Sequence, residues 1–175
     1  AENWAAVAKK AFKWSDAARI RGTRDSAKTA TLFGAFARNQ TWQVPTLIVT
    51  RQIGSLVDGV PAAVPADRFN GQSVRGMWTA MGSMADFVKG THDLHPLDVE
   101  LVGEMFRAGV PILAGTDFPN PYVYPGASLH DELALLVKAG LPPAAALRAA
   151  TSEPARFLGL SDSLGTVAVG KVADL

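Results

Sequence analysis

Gly109-Val110-Pro111-Ile112-Leu113-Ala114-Gly115-Thr116-Asp117 is a short apolar run that ends in small residues and a carboxylate. Its length and apolar content predict a buried strand that places Asp117 at the carboxyl edge of a sheet. In parallel α/β folds the active site lies at this edge. Upstream, Gly109 stands where a left-handed residue commonly ends a helix, and five apolar residues share one helical face: Leu97, Leu101, Val102, Met105 and Phe106.

A similar step from helix to strand occurs earlier in the chain. An amphipathic helix is predicted over Ser26–Arg38, with Asn39 at its end, and β-forming residues then predict a strand over residues 42–49. Pro45 lies inside this second run and cannot donate to a sheet ladder, which normally indicates an edge strand or a bulge. Two helix-to-strand steps favour a parallel α/β architecture.

The rest of the chain is predicted to be mainly helical. Residues 4–14 have the pattern of an amphipathic helix, and residues 51–89 that of a surface excursion that carries one helix at 75–88. After Asp117 comes a long loop, and Ser128 with Asp131 has the capping-box spacing for the next helix. Another helix begins at Pro142-Pro143, and residues 164–175 are predicted to form a hairpin.

Composition indicates a globular domain and argues against several functional classes. The 175 residues are 48% apolar and 19% charged, and 17 basic and 16 acidic residues leave a net charge of +1. This balance argues against nucleic acid or an anionic membrane as the main partner. The chain has no Cys, which excludes disulfides and thiolate metal sites. No apolar stretch approaches the roughly 20 residues of a membrane span.

Residues 99–175 resemble the carboxyl-terminal third of the metal-dependent amidohydrolase superfamily, in particular its imidazolonepropionase-like and prolidase-like members. The runs that carry the resemblance are GVPILAGTD and NPYVYPGASLHDELALLVKAGLPPAAALRAATSEPARFLGL, and it extends more weakly to NQTWQVPTL. It implies an α/β fold in which residues 1–160 are the last strands and helices of a (β/α)8 TIM barrel, hence a partial barrel with residues 42–49 as strand seven. Residues 161–175 would be a hairpin that leads into a small β-sandwich.

The resemblance also implies a chemistry. In this family the Asp after the last barrel strand binds a divalent metal, usually zinc, and moves protons, and Asp117 is the matching position. The full-length enzyme would hydrolyse C–N bonds of peptide-like, dipeptide-like or cyclic amides. His130 in the run Ser-Leu-His-x-Glu-Leu, together with Tyr122 and Tyr124, are candidate substrate-binding residues. A helix-start role for His130, and packing under the loop for the tyrosines, are the alternatives.

The other metal ligands of the family have no counterpart in this sequence. The family pattern needs a His-x-His pair and two further histidines, whereas the three histidines of this chain, His92, His95 and His130, lie elsewhere. Catalytic zinc normally takes three protein ligands, so we expect this chain alone to bind no metal tightly and to be inactive. His92, His95 and Asp98 form an alternative cluster, but a carboxylate near a helix start explains it without a metal.

The length and first residue of the sequence lead to expectations about completeness, assembly and compartment. A complete TIM barrel needs about 250 residues, so we expect the chain to be a fragment of a larger enzyme. Unpaired strand edges would favour a homo-oligomer. The alternative is a non-catalytic partial-barrel fragment or interaction module that does not bind metal. The compartment stays open: the cytoplasm is favoured because no signal peptide is visible, and export is possible because the chain does not begin with Met.

Overall fold

A computed structural model describes residues 13–62 and 64–173 of the chain. The α-helices within these residues are α1 Ala17–Gly22, α2 Ser26–Arg38, α3 Leu47–Ser55, α4 Gln72–Gly82, α5 Ala85–Arg107, α6 Ala127–Lys138, α7 Pro143–Ala149 and α8 Ser152–Phe157. Single 3-10 turns lie at Trp14–Asp16, Leu56–Asp58 and Pro65–Phe69. The helix predicted at residues 4–14 lies almost entirely outside the described residues. None of the described helices combines the length and apolarity needed to cross a bilayer.

The predicted bounds of α2 and the predicted stop after α5 are confirmed. Helix α2 has the predicted bounds, and the Asp25 side chain caps it by accepting hydrogen bonds from the amides of Ala27 and Lys28. Its end differs by one residue, because Gln40 rather than Asn39 takes the left-handed conformation, with φ 51°. Gly109 follows α5 with φ 77°, as the helix-stop signal predicts.

The two predicted strands meet at one point only. Among the described residues, a single parallel bridge joins Gln43 to Ile112. The Gln43 amide donates to the Pro111 carbonyl at 3.0 Å, and the Leu113 amide donates to the Gln43 carbonyl at 2.9 Å. The parallel direction agrees with neighbouring segments of a βα fold, but the prediction of regular strands is wrong for the described residues.

The segment at residues 42–49 departs from the predicted strand for a local reason. Pro45 cannot donate to a ladder, and Thr46 then turns the chain with φ 46°. Helix α3 begins directly afterwards at Leu47. The apolar run at 47–49 therefore belongs to a buried helix, which apolar content alone does not distinguish from a strand.

The surface excursion carries more helix than predicted. Helix α4 ends at Gly82, and α5 begins three residues later, so the helix predicted at residues 75–88 spans parts of two helices. The start of α5 is tied to a distant part of the chain, because the Asp86 carboxylate accepts a hydrogen bond from the Trp14 amide at 2.7 Å. From there α5 continues to Arg107.

The predicted hairpin at the carboxyl end is wrong over its described part. Residues 161–173 form turns with no strand. The Val172 amide donates to the Ser163 carbonyl at 2.9 Å, and the Lys171 ammonium donates to the Ser161 carbonyl at 2.7 Å. The segment therefore closes on itself, which gives some of its polar groups partners without a regular ladder.

The hydrophobic core lies between the helices that surround the two bridged segments. Among the described helices, α3 and α5 make the most extensive contact of any pair. Leu47 and Ile48 of α3, Val123 of the loop and Leu136 of α6 are almost completely buried. The core therefore surrounds the bridge and fixes the turns that follow both extended segments.

Candidate active site

Two tight turns lie side by side at the carboxyl ends of the bridged segments. One contains Thr46, with φ 46°, and the other contains Asp117, with φ 53°. They approach closely at Gly115, where an added Cβ would lie 2.5 Å from Cγ1 of Val44 and 3.9 Å from Cγ2 of Thr46. A side chain at residue 115 would force the Val44 side chain or one of the turns to move, since Cβ contacts under 3.0 Å essentially do not occur in proteins.

Asp117 is exposed on the second turn and is oriented by one neighbour. The side-chain amide of Asn120 donates to Oδ2 of Asp117 at 3.0 Å and to its backbone carbonyl at 2.8 Å. The backbone amide of Asn120 also donates to that carbonyl, at 3.2 Å. The Asp117 carboxylate is thus exposed to solvent, and Asn120, three residues later in the chain, fixes its orientation.

The two candidate tyrosines pack against the excursion. The rings of Tyr122 and Tyr124 lie 5.1 Å and 5.5 Å from the ring of Trp78. The Tyr124 hydroxyl donates to Oδ1 of Asp67 at 2.8 Å, and burial together with this carboxylate raises the pKa of Tyr124 above its usual range. Both rings therefore make the contacts expected of side chains that pack under the loop.

Trp78 fastens the excursion to the loop after Asp117. Its indole N–H donates to the Pro119 carbonyl at 2.7 Å, and its side chain is buried. The Gln52 side-chain amide adds a second tie, to the Tyr122 carbonyl at 3.1 Å. Residues from α3 and α4 thus hold the loop whose first residue is Asp117.

The predicted capping box at the start of α6 is wrong. The Ser128 hydroxyl accepts a hydrogen bond from the Tyr124 amide at 2.8 Å, so it closes the preceding turn instead of capping the helix. Asp131 pairs with Arg51 at 2.9 Å. His130 lies exposed in the first turn of α6, on the helix that follows the Asp117 loop.

His92, His95 and Asp98 do not form a metal-binding cluster within the described part of the chain. They lie inside α5, not at a helix start as predicted. Nδ1 of His92 is 3.2 Å from the Gly54 carbonyl, and Nδ1 of His95 is 3.0 Å from the Thr50 hydroxyl. Asp98 pairs with Arg21. Each side chain has a different partner, so they fix packing between helices.

The described residues do not fit a complete metal centre. Within residues 13–62 and 64–173, no three His, Asp or Glu side chains come together as a metal ion requires. The polar partner of the Asp117 carboxylate is an asparagine amide, which is not a further anionic ligand. Asp117 can therefore contribute one ligand, and this part of the chain supplies no complete set.

Glu132 is a buried carboxylate that the sequence analysis missed. It is completely buried on α6, and its carboxylate accepts hydrogen bonds from the amides of Leu47 at 3.1 Å and Ile48 at 2.7 Å. Burial raises the pKa of Glu132 to about 6, against the opposing effect of these amides and of Arg51. The available signal was its place on the apolar face of α6, one turn before Leu136.

Comparison with known proteins places the chain near one enzyme family. The sequence profile of the amidohydrolase family matches residues 91–175. The imidazolonepropionase of Aromatoleum aromaticum is 39% identical over 98 residues, which are 55% of this chain and 24% of that protein. The imidazolonepropionase of Flavobacterium johnsoniae is 37% identical over 73 residues, 41% of this chain and 18% of that protein. The chain thus spans at most about a quarter of either relative's length.

A solved structure shares the fold. The crystal structure of a Xaa-Pro dipeptidase with bound methionine in its active site matches with a TM-score of 0.55 and 22% sequence identity. The match covers 82% of this chain and 30% of the dipeptidase chain. At this identity the likeness concerns the fold alone.

Proposed function

Because the chain belongs to the amidohydrolase superfamily, we propose that it is the carboxyl-terminal part of an enzyme that hydrolyses C–N amide bonds. The observation that carries this proposal is the presentation of Asp117. Its carboxylate stands exposed at the end of a segment that runs parallel to its neighbour, inside the region matched by the family. An exposed, oriented carboxylate at such an end is suited to proton transfer.

The proposal extends to the architecture of the longer protein. Residues 1–160 are the last part of a TIM barrel, and the parallel bridge between Gln43 and Ile112 is where its last two barrel strands adjoin. Residues 161–175 lead towards a small β-sandwich. The remaining strands would come from the part of the relatives that the chain does not span.

The proposed substrate is a small amide, either peptide-like or cyclic. The names of the similar proteins, an imidazolonepropionase and a Xaa-Pro dipeptidase, indicate these two classes. His130 is exposed on the helix that follows the Asp117 loop, and Tyr122 and Tyr124 lie on the loop itself. We assign substrate contact to these residues, with the tyrosines acting as the wall that Trp78 supports.

The proposal gives Asp117 one place in a divalent metal site, zinc being the usual metal. The other ligands would come from outside the described residues, because these gather no further ligand near the Asp117 turn. What this chain contributes is a carboxylate that Asn120 holds through Oδ2 and that can accept a proton.

The test uses the protein expressed from the complete reading frame, with the variants Asp117→Asn and Asp162→Asn. Asp162 is an exposed carboxylate outside the site and gives the matched loss of one charge. Zinc content is measured by elemental analysis, and hydrolysis is measured on Xaa-Pro dipeptides and on a cyclic imidazolone amide. Asp117→Asn should lower the hydrolysis rate by about 100-fold or more, the usual effect of a lost acid–base group. An equal effect of both variants, or hydrolysis unaffected by Asp117→Asn, would contradict the proposal.

One observation favours the second candidate, an interaction module. Near the carboxyl end several apolar side chains are exposed, among them Leu158, Val167 and Val169, with Val167 at 87%. Exposed apolar side chains in one short stretch are typical of surfaces that another protein covers. Light scattering of the 175-residue chain tests this candidate: a homo-oligomer without zinc or hydrolysis would support it, and a monomer would count against it.

A further inference from the structure

Glu132 is a buried ionisable residue to which the proposed hydrolysis gives no chemical role. Its side chain is completely buried on α6, one turn after the buried Ser128. Helix α6 directly follows the loop that begins at Asp117. The residue therefore belongs to the same stretch of chain as the candidate site, but it faces inward.

The contacts of Glu132 join two helices. Oε1 accepts from the Leu47 amide at 3.1 Å, and Oε2 accepts from the Ile48 amide at 2.7 Å. These are the first two amides of α3, which have no acceptor inside their own helix. Thr46 precedes them, and its side chain makes no capping bond to α3. Glu132 thus supplies from α6 the acceptors that a capping side chain normally supplies locally.

A purely local solution for this helix end would avoid burying a carboxylate. Serine or asparagine at a helix start commonly accepts from the early amides, and an apolar side chain on α6 would fill the core. Burying a carboxylate is unfavourable unless its hydrogen bonds compensate. What the buried carboxylate adds over both alternatives is a directed link between α6 and the first turn of α3.

The link bears on the candidate site through the turn at Thr46. This turn lies against Gly115, where an added Cβ would be 3.9 Å from Cγ2 of Thr46, and Gly115 is two residues before Asp117. The amides that Glu132 binds follow directly on the Thr46 turn, which lies beside the Asp117 turn. Glu132 itself is on α6, the helix that follows the Asp117 loop. Glu132 therefore connects the start of α3, beside the first residues of that loop, with the helix after its last residue.

We propose that Glu132 is a positioning residue that holds the Thr46 turn against the Asp117 turn and so sets where the Asp117 carboxylate is presented. That this placement of Asp117 matters for catalysis rests on the proposed function. That Glu132 holds the two turns together does not, because this geometric claim concerns only their backbone.

Amide hydrogen exchange measured by NMR on the 175-residue chain tests the geometric claim. Glu132→Gln replaces one accepting oxygen by a donor group, so it removes one of the two bonds to α3. We expect exchange at Leu47 and Ile48 to rise by about tenfold or more, as for the loss of a hydrogen bond to a charged group. The amide signals of Gly115, Thr116 and Asp117 should move as well.

Two control variants separate positioning from general stability. Asp131→Asn removes a charge from the neighbouring residue of α6, which pairs with Arg51 at the surface, and should leave these signals in place. Leu135→Ala destabilises the same helix by opening a cavity in the core. If Leu135→Ala moves the Gly115–Asp117 signals as Glu132→Gln does at equal loss of stability, the positioning claim is wrong.

A titration of the wild-type chain keeps the claim testable if Glu132→Gln does not fold. The Glu132 carboxyl carbon and the amides of Leu47, Ile48, Gly115 and Asp117 should titrate together. The other charged or titratable groups in contact with α3 are followed by their own signals. These are His92 and His95 of α5, through their ring carbons, and Asp131 of α6, which pairs with Arg51 of α3. If the Asp117 turn follows a histidine titration instead, or does not respond, the claim is overturned. Absence of hydrolysis would overturn the proposed function alone.

Discussion

The turns at Thr46 and Asp117 both contain a non-glycine residue at positive φ, but they are held in different ways. Each follows a bridged segment, and each places a non-glycine residue at positive φ, 46° and 53°. The Thr46 turn leads into a helix whose first amides bind the buried carboxylate of Glu132. The Asp117 turn carries an exposed carboxylate that is held by the side-chain amide of Asn120. One carboxylate is therefore buried between two helices, and the other is exposed to solvent.

Losing a hydrogen-bond partner has a different energetic cost at each of the two turns. A non-glycine residue in the left-handed region costs roughly 1 kcal/mol, so both turns need a compensating contact. The amides after the Thr46 turn belong to the buried residues Leu47 and Ile48, so water cannot replace a lost acceptor there, and the cost of leaving an amide unpaired is about 1–3 kcal/mol. In the exposed Asp117 turn, water can replace a lost hydrogen-bond partner. We therefore expect the same kind of substitution to have very different effects in the two places.

The largest expected effect comes from removing the buried carboxylate. Glu132→Ala leaves the amides of Leu47 and Ile48 without acceptors and opens space in the core, which should lower the free energy of unfolding by about 2–5 kcal/mol. Asp117→Asn, at an exposed position that asparagine tolerates at positive φ, should change it by about 0.5 kcal/mol or less. Urea unfolding followed by circular dichroism measures both changes. Equal effects would remove the distinction between the turns.

A smaller effect is expected where the two turns touch. In Gly115→Ala the new Cβ would lie 2.5 Å from Cγ1 of Val44, so either the Val44 side chain or one of the two turns must move. Overpacking of this kind usually costs about 1–3 kcal/mol. Gly76→Ala in α4 is the matched control, because none of the described residues has an atom within 4 Å of its Cβ position and alanine favours a helix. We expect the control to be neutral or stabilising in the same urea experiment. A stable Gly115→Ala chain would show that the turns are not in tight contact.

The free energy of unfolding should change by about 2 kcal/mol with pH, because the pKa of Glu132 differs by about 1.5 between the folded and the unfolded chain. The ordinary pKa of a glutamate is 4.5, and burial raises that of Glu132 to about 6. Between these values the folded chain holds a proton that the unfolded chain has released, so the free energy of unfolding falls as pH rises from about 4.5 to about 6. It stays reduced above that range.

The pH experiment compares urea unfolding of wild type and Glu132→Gln between about pH 4 and 7, a range that spans both pKa values. The variant should lack this fall, whatever its absolute stability, because glutamine does not titrate. Groups whose pKa is lowered, such as Asp86 beside the Ser15 hydroxyl and the Trp14 and Ser15 amides, act in the opposite direction and at lower pH, and they are common to both chains. A fall of equal size in the variant would assign the titration to another group.

The parts of the fold that follow from neighbouring residues were predictable. Helix α2 has a capping aspartate before it and a left-handed residue after it, and both signals lie within a few residues of the helix ends. The stop of α5 at Gly109 is of the same kind. The resemblance to the amidohydrolases also rests on contiguous runs of residues, and the family profile over residues 91–175 agrees with it.

The predictions that failed depended on partners far away in the chain or on turns that the spacing alone did not reveal. Residues 47–49 are apolar and β-forming, yet Glu132, 84 residues after Ile48, accepts from the amides of Leu47 and Ile48 at the start of a helix. Ser128 has the spacing of a cap, but its hydroxyl oxygen accepts from the Tyr124 amide. His92 and His95 looked like a cluster in sequence, but each contacts a different residue of α3.

The sequence alone carried the resemblance to the amidohydrolases and the bounds of α2, and it singled out Asp117 as the residue after an apolar run. Only the tertiary structure decided that Glu132 is buried against another helix, that Gly115 separates two touching turns, and that the histidines of α5 have separate partners. The physical reason is that backbone amides and carboxylates are satisfied by whichever group the fold brings near. Which group that is depends on packing between segments that lie far apart in the chain.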